Sequence, residues 1–301
     1  MKFGINKITC SFFQRQIKII EQNHKVMNLA EKTIVILGYK GMLGQMITAY
    51  FKPRVKEIVH FDIRFDAENK WLFVDEIRKY PNAIIFNAIG KIKQKTEDDF
   101  ELLMANTILP LELHNHLLPN QFLVHPSTDC VFDGNTNIPY RQVNESDARD
   151  TYGWSKRLGE IALQDRRRTV IFRVSIIGED KLTNKGLLSW FLSQNKASVL
   201  NGFTNHYWNG ITTLEWCKQV EFYLTEKNQS DKEGKLFQIG TQQHYTKYEM
   251  LQLFQQVYQT DYTIKEYKTE MPVDRRLYPD ITAKCLKEQL QEMKEFCQIY
   301  F

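Results

Sequence analysis

Thr33-Ile-Val-Ile-Leu37-Gly38-Tyr-Lys-Gly41-Met-Leu-Gly44 is the stretch on which the fold turns. Its first five residues are β-branched or apolar and too few for a helix, so they read as a buried strand. Three glycines follow, and apolar residues then recur at helical spacing through Met46, Ile47 and Tyr50 until Pro53 ends the pattern. Strand, glycine turn and helix in that order can hold a pyrophosphate. The helix N-terminus offers unpaired N–H groups and partial positive charge, and glycine lets the ligand come close. The spacing is G-x-x-G-x-x-G rather than the commonest dinucleotide fingerprint, G-x-G-x-x-G, and taken alone it also fits an ordinary strand-to-helix turn.

Working outward, a second strand at Glu57–Phe61 ends in Asp62, about 20 residues beyond the loop, where a carboxylate can accept hydrogen bonds from an adenosine ribose. Arg64 lies two residues on and could pair with the extra phosphate of NADP, so NADH and NADPH both stay open. A solvated turn carboxylate is the plainer reading of Asp62. The pattern continues as helix 71–79, strand 83–87, helix 98–118, strand 121–125, a helix from about Thr151 and a strand at Thr169–Val174. This alternation predicts an α/β fold, a doubly wound parallel sheet with helices on both faces. Ligands in such sheets bind beyond the carboxyl ends of the strands, which here places residues 38–44, 87–90 and 127–129 around one crevice.

After Gly178 the reading is a helix at 186–194, a helix at 213–224 and a buried strand at 236–240 that returns to the main sheet. The expected organisation is a poorly packed extension at 1–30, a dinucleotide-binding domain at 31–178 and a smaller α/β domain, mainly for substrate, at 179–301. Met27 is an alternative start for the chain.

Composition narrows the classes. The chain has 301 residues, 43% hydrophobic and 25% charged, the make-up of a globular protein. Its 40 Lys and Arg against 36 Asp and Glu leave +4 without a basic block, so no nucleic acid partner is expected. No run approaches the roughly 20 apolar residues of a membrane span. The five cysteines (Cys10, Cys130, Cys217, Cys285 and Cys297) are far apart and include no Cys-x-x-Cys pair, which suits reduced thiols in the cytoplasm. Arg15 and Lys18 interrupt the best candidate for a signal-peptide core, although an amphipathic targeting peptide fits the composition. His206 has no companions at metal-ligand spacing, and no catalytic metal is expected.

Tyr152 and Lys156 stand four residues apart, on one face of the helix. An ordinary phenol has a pKa of about 10, and a neighbouring cation lowers it, so Tyr152 could serve as a general acid or base. The same spacing arises by chance on surface helices. Thr128, at a strand end, could donate to a carbonyl oxygen as charge develops there, or only close its own turn with Ser127 and Asp129. Asn205, His206, Tyr207 and Trp208 form a polar, aromatic loop that suits a sugar nucleotide or a packed turn. Arg275 and Arg276 carry forks that match phosphate oxygens, or are solvated charges.

These motifs, in this order, resemble the extended short-chain dehydrogenases/reductases, and more narrowly the dTDP-4-dehydrorhamnose reductase family. Gly38-x-x-Gly41-x-x-Gly44 resembles the cofactor loop, and Asn87-Ala-Ile-Gly90 the family's Asn-Ala-Ala segment. Asn106-Thr-Ile-Leu-Pro110 resembles the helix bearing a structural or proton-relay asparagine. Ser127-Thr-Asp-Cys-Val-Phe-Asp-Gly134 is close to Ser-Thr-Asp-Tyr-Val-Phe-Asp-Gly, and Pro139-Tyr-x-x-x-x-Glu145-x-Asp147 to a shorter Pro-Tyr-x-Glu-x-Asp. Tyr152-Gly-x-Ser-Lys156-x-x-Gly-Glu160 and Arg173-Val-Ser-Ile-Ile-Gly178 complete the series.

The resemblance implies catalysis by Thr128, Tyr152 and Lys156. It implies NADPH or NADH held by Gly38, Gly41, Met42, Leu43, Gly44, Asp62, Arg64, Asn87, Ala88 and Asn106, with Tyr152 and Lys156. Asp129, Asn205, Trp208, Arg275 and Arg276 are the implied substrate contacts. The implied reaction reduces the C4 ketone of a UDP- or dTDP-linked 4-keto-6-deoxy hexose, for surface glycans, with a homodimer as the default assembly. Segments 90–94, 186–194 and 202–213 are similar to a branch that includes reductases forming UDP-N-acetyl-L-rhamnosamine. Cys130 departs from the family's tyrosine, and the interval from Asp62 to Asp66 is short. Fold alone does not separate such a reductase from a nucleotide-sugar epimerase or dehydratase, or from the dinucleotide-binding regulatory subunit of methionine adenosyltransferase.

Overall fold

The computed structural model describes residues 27–93, 96, 98–180, 186–196, 198–226 and 235–301, so the expected extension at 1–30 lies almost wholly outside the described residues. The elements run β1 (Thr33–Leu37), α1 (Met42–Phe51), β2 (Glu57–Phe61), α2 (Lys70–Arg78), β3 (Ile84–Asn87), α3 (Asp99–Leu103), a π-helical turn (Met104–Ile108), α4 (Leu109–His116), β4 (Phe122–Thr128), α5 (Thr151–Leu163) and β5 (Thr169–Val174). They continue as β6 (Ile176–Ile177), α6 (Leu187–Leu192), β7 (Val199–Phe203), β8 (His206–Trp208), β9 (Ile211–Thr212), α7 (Thr213–Glu226), β10 (Lys235–Thr241), β11 (Tyr245–Thr246), α8 (Lys247–Tyr258), β12 (Thr263–Tyr267), β13 (Val273–Asp274), β14 (Ile281–Ala283) and α9 (Leu286–Tyr300).

Seven strands form one sheet in the order β2-β1-β3-β4-β5-β10-β14, and every neighbouring pair is parallel. The chain reverses its direction of travel across the sheet between β1 and β3, so the loops after these strands part and leave a crevice. Both faces are covered, which explains why the central strands are continuous apolar runs. Ile34 and Ile36 of β1 pack with Met46 and Phe51 of α1, Trp216 of α7 and Leu290 of α9. Val35 and Leu37, pointing the other way, pack with Phe73 of α2, Leu109 and Leu113 of α4 and Leu163 of α5.

The first of these cores continues through Leu188, Trp208, Met250 and Phe254, so the later elements share it with the sheet. Smaller pairings, β11-β8-β13, β12-β7 and β6-β9, build the layer above the carboxyl ends. No helix among the described residues is long and apolar enough to cross a membrane.

The single helix expected at 98–118 is instead broken by the π-helical turn. Pro110 has no N–H to return to the carbonyl of Asn106, four residues back, so the ladder widens there.

Candidate active site

Gly38 adopts φ +78°, and a Cβ there would lie 2.9 Å from the backbone nitrogen of Ile89. A Cβ on Gly44 would sit 2.3 Å from the carbonyl oxygen of Gly38, so this glycine lets α1 close on the turn. Gly41 differs: its nearest neighbour is the Gly38 carbonyl at 3.4 Å, and it caps α1 without a side-chain hydrogen bond, so the first N–H groups of α1 face open space. A cradle of this shape fits a dinucleotide's pyrophosphate. Gly44→Ala is expected to weaken NADPH binding at least about tenfold, because the displaced loop no longer presents those N–H groups. Fluorescence titration checks it, and unchanged affinity contradicts it.

Two cavities flank this cradle. One, of about 510 Å³, is bordered by Gly38, Asp62, Arg64, Ile89 and Lys91. The Asp62 carboxylate accepts hydrogen bonds from the Tyr39 hydroxyl (2.6 Å) and the Lys40 ammonium (3.0 Å), which hold it below the usual carboxylate range. Arg64 leans toward Glu101 at 3.6 Å. The other cavity, about 530 Å³, meets the first at Ile89 and Lys91, and is bordered by Gly41, Met42, Leu43, Ala88, Asn106, Thr128, Asp129, Tyr152, Lys156 and Arg275.

Glycine also brings the reactive groups together. A Cβ on Gly153 would lie 2.2 Å from the Cys130 carbonyl, and one on Gly159 would lie 2.2 Å from that of Asn106, so α5 sits hard against the end of β4 and the π turn. Asp150 caps α5 by accepting from the Gly153 N–H at 2.8 Å. Asn106 donates to Ser155 Oγ (3.0 Å) and to the Lys91 carbonyl (3.0 Å) and accepts from the Lys91 N–H (3.1 Å). Lys156 donates to the Pro126 carbonyl at 2.8 Å, and Thr128 Oγ1 donates to Asp129 Oδ1 at 3.1 Å while accepting from the Cys130 N–H.

Electrostatically, burial brings Lys156 down to about 8, with Glu160 opposing the shift. Tyr152 departs from the sequence expectation. Its pKa is raised, by burial first and then by Cys130, Asp129 and Asp150, against a hydrogen bond with Thr128. The Lys156 ammonium donates to the Pro126 carbonyl, and burial dominates the phenol. Tyr152 therefore holds its proton at neutral pH. The Cys130 thiol, pushed up to about 12 chiefly by burial, is inert.

Four expected ligand contacts are placed otherwise. Asn87 is fully buried with its Nδ2 3.1 Å from His125 Nδ1, beneath the crevice, and Ala88 takes the wall. Asn205 spends its whole amide on Thr269, tying two loops together. Trp208 is 3% exposed and donates to Ser175 Oγ, so it is core rather than a stacking platform. Arg276 forks onto Asp274 at 2.8 and 2.6 Å, away from the cavity. Asp129 and Arg275 do reach the wall. Thr246 and Glu249 close a capping box at the start of α8. Among the described residues no group of three His, Cys, Asp or Glu is placed to hold a metal.

A family model described as the RmlD substrate binding domain matches residues 32–289. The dTDP-4-dehydrorhamnose reductase of Salmonella typhimurium is 27% identical over 179 residues, 56% of this chain and 60% of that protein, so the match spans less than two thirds of this curated relative. Among solved structures, a dTDP-4-dehydrorhamnose reductase from Bacillus anthracis in complex with NADP superimposes with a TM-score of 0.77 at 15% identity, covering 88% of this chain and 99% of that one. One from Clostridium acetobutylicum gives 0.73 at 20% identity, again covering 88% and 99%. At such identities the superpositions establish the doubly wound fold.

Proposed function

The chain belongs to the RmlD substrate binding domain family, and on that footing we propose that it is an NAD(P)H-dependent oxidoreductase that reduces the C4 ketone of a dTDP- or UDP-linked 4-keto-6-deoxy hexose. The supporting observation is the meeting of Thr128, Tyr152 and Lys156 in a cavity that adjoins the glycine cradle. Residues 31–178 with β10 carry the cofactor in this reading, and residues 179–301 mainly the substrate. The enzyme would work in the cytoplasm, as a homodimer, on precursors of surface glycans.

When bound, the dihydronicotinamide supplies a hydride; the chain's own residues do the rest. Gly38, Gly41 and Gly44 with Met42 and Leu43 would seat the pyrophosphate, Asp62 or Arg64 the adenosine end, and Lys156 the ribose next to the nicotinamide. Thr128 can orient the ketone once its hydroxyl turns from Asp129. Tyr152 then gives its proton to the oxygen left negative by reduction. A phenol that keeps its proton at neutral pH suits that direction of reaction.

Lys156 gives a pH signature. It is charged below about 8 and loses its proton above. The rate of reduction should be flat below that pH and fall as pH rises through it, and Lys156→Arg should move the falling limb upward. A pH–rate profile with no alkaline limb near 8 contradicts this role.

The direct assay mixes the purified protein with NADPH or NADH and dTDP- or UDP-linked 4-keto-6-deoxy sugars and follows the absorbance of the reduced nicotinamide. Stoichiometric loss supports the reductase. No loss with any of these sugars overturns it and favours the non-catalytic, dinucleotide-binding regulatory role.

A further inference from the structure

Pro126 stands inside β4, the middle strand of the seven-stranded sheet, where a proline is out of place because it gives no N–H to the ladder. The alternation of the backbone shows which neighbour is affected. The Phe122 N–H goes to the Ala83 carbonyl, just ahead of β3, and the Leu123 N–H to the Arg168 carbonyl, just ahead of β5. Even-numbered residues of β4 therefore aim both backbone groups at β3, and odd-numbered ones aim theirs at β5. By that count a residue at 126 would donate to the Asn87 carbonyl and accept from the Ile89 N–H. Proline removes the donor, and the ladder stops. β3 pairs with β4 only as far as Phe86 and Val124, while β4 stays paired with β5 to Thr128 and Val174.

The result is a gap between β3 and β4 at the catalytic cavity, whose wall includes Pro126, Ala88, Ile89 and Lys156. The Lys156 ammonium enters there and donates to the Pro126 carbonyl at 2.8 Å, the group the ladder leaves open. The strands are tied at this level by side chains instead, Asn87 Nδ2 lying 3.1 Å from His125 Nδ1. An ammonium has three donors, so one fixed on the carbonyl leaves two for a ligand. Of the titratable groups around it, Glu160 of α5 supports the charge, and His125 of β4 is buried and neutral. Asp129, Cys130 and Tyr152 share the cavity wall, and both the thiol and the phenol keep their protons.

We propose that Pro126 is a positioning residue for Lys156: by ending the β3–β4 ladder it keeps its own carbonyl for the ammonium and so aims the lysine at the cofactor's ribose. The inference rests on the role given to Lys156 above. An ordinary residue at 126 would extend the ladder by two hydrogen bonds and take that carbonyl away from the lysine. The fold forgoes backbone pairing here, and the proline serves activity rather than stability.

The test is Pro126→Ala in the full chain, with Val124→Ala as a companion that loosens the core under the same strand and leaves its N–H groups in place. Amide exchange at Ile89 should slow by about tenfold or more in Pro126→Ala, as its N–H enters the ladder. A carbonyl that accepts from an ammonium favours the charged form, so its loss lowers the lysine pKa. NMR titration of protein with isotope-labelled lysine side chains, the signal assigned through Lys156→Arg, should show a Lys156 midpoint of about 8 in wild type. In Pro126→Ala it should fall by about one pH unit, and the alkaline limb of the reduction rate should move down with it. Val124→Ala should lower Tm and leave the midpoint where it was. An unmoved midpoint in Pro126→Ala overturns the proposal, as does an equal shift in Val124→Ala, which would trace the effect to loosening of the strand. Failure of the reductase reading is separately visible, as absent NADPH oxidation while the midpoint still responds to residue 126.

Discussion

Tyr152→Phe is expected to lower reductive turnover by about 10²–10⁴-fold, the range a positioned general acid contributes, while NADPH affinity and Tm stay near wild type. The substitution removes one hydroxyl and no packing volume. The ring contributes no hydrogen bond to the cradle of Gly38, Gly41 and Gly44, so cofactor binding has no reason to change. The hydrogen bond between Tyr152 and Thr128 is lost, while Thr128 keeps Asp129 and Lys156 keeps the Pro126 carbonyl. Loss is therefore expected in kcat rather than in the cofactor's Kd. Near-normal turnover would remove the phenol from the proton-donating role.

The largest expected loss of stability is at Glu160. Its side chain is 1% exposed and that of Arg173 2%, and the two are joined by Arg173 Nε to Oε1 at 2.9 Å and Nη2 to Oε2 at 2.7 Å. Ser127 donates to the same carboxylate at 2.6 Å and Arg157 at 2.9 Å. Arg173 also donates to Gln238 Oε1 at 3.0 Å, and Gln238 donates in turn to the carbonyls of Tyr140 and Tyr278. Burial alone would push the Glu160 carboxyl up, but Arg173 chiefly, with Ser127 and Arg157, holds it below the usual range.

Glu160→Ala leaves the Arg173 guanidinium buried without its counter-charge, which costs about 3–5 kcal/mol. Glu160→Gln should lose less, because the amide oxygen still accepts from Ser127 or Arg173. Urea unfolding measures both, and a loss below about 1 kcal/mol in Glu160→Ala would mean that the network is not held by this pair. The same network joins β4, α5, β5 and β10, so its rupture should also loosen the end of β4 that carries Thr128.

The framework of β1 through β5 was legible because each strand is a short apolar run and each helix a periodic one, both local signals. The seventh strand was not. Ile281–Ala283 has three residues and owes its place to pairing with β10, forty residues earlier in the chain. α9, by contrast, repeats Leu286, Leu290, Met293 and Cys297 at helical spacing and was there to be read.

At the site, Tyr152 and Lys156 were legible as neighbours because residues four apart share a helix face, and the structure places both with Thr128 on one cavity wall. Asn205 and Arg276 have side chains that suit a ligand or a loop equally well, and only the folded chain puts Thr269 and Asp274 against them. Trp208 was misjudged because burial of an indole depends on what packs over it, here β11 and the Lys247 stem. The pKa of Tyr152 was unreadable for a similar reason. Spacing reveals that Lys156 is near, but not that burial of the phenol outweighs it.

A turnover with NADPH carrying deuterium at the transferable C4 position puts the central claim to the most direct trial. The account predicts one deuterium at C4 of the sugar, one oxidised cofactor per sugar and almost no label transfer with Tyr152→Phe. Sugar product without the label, or product formed while the cofactor returns to its starting state, would contradict it.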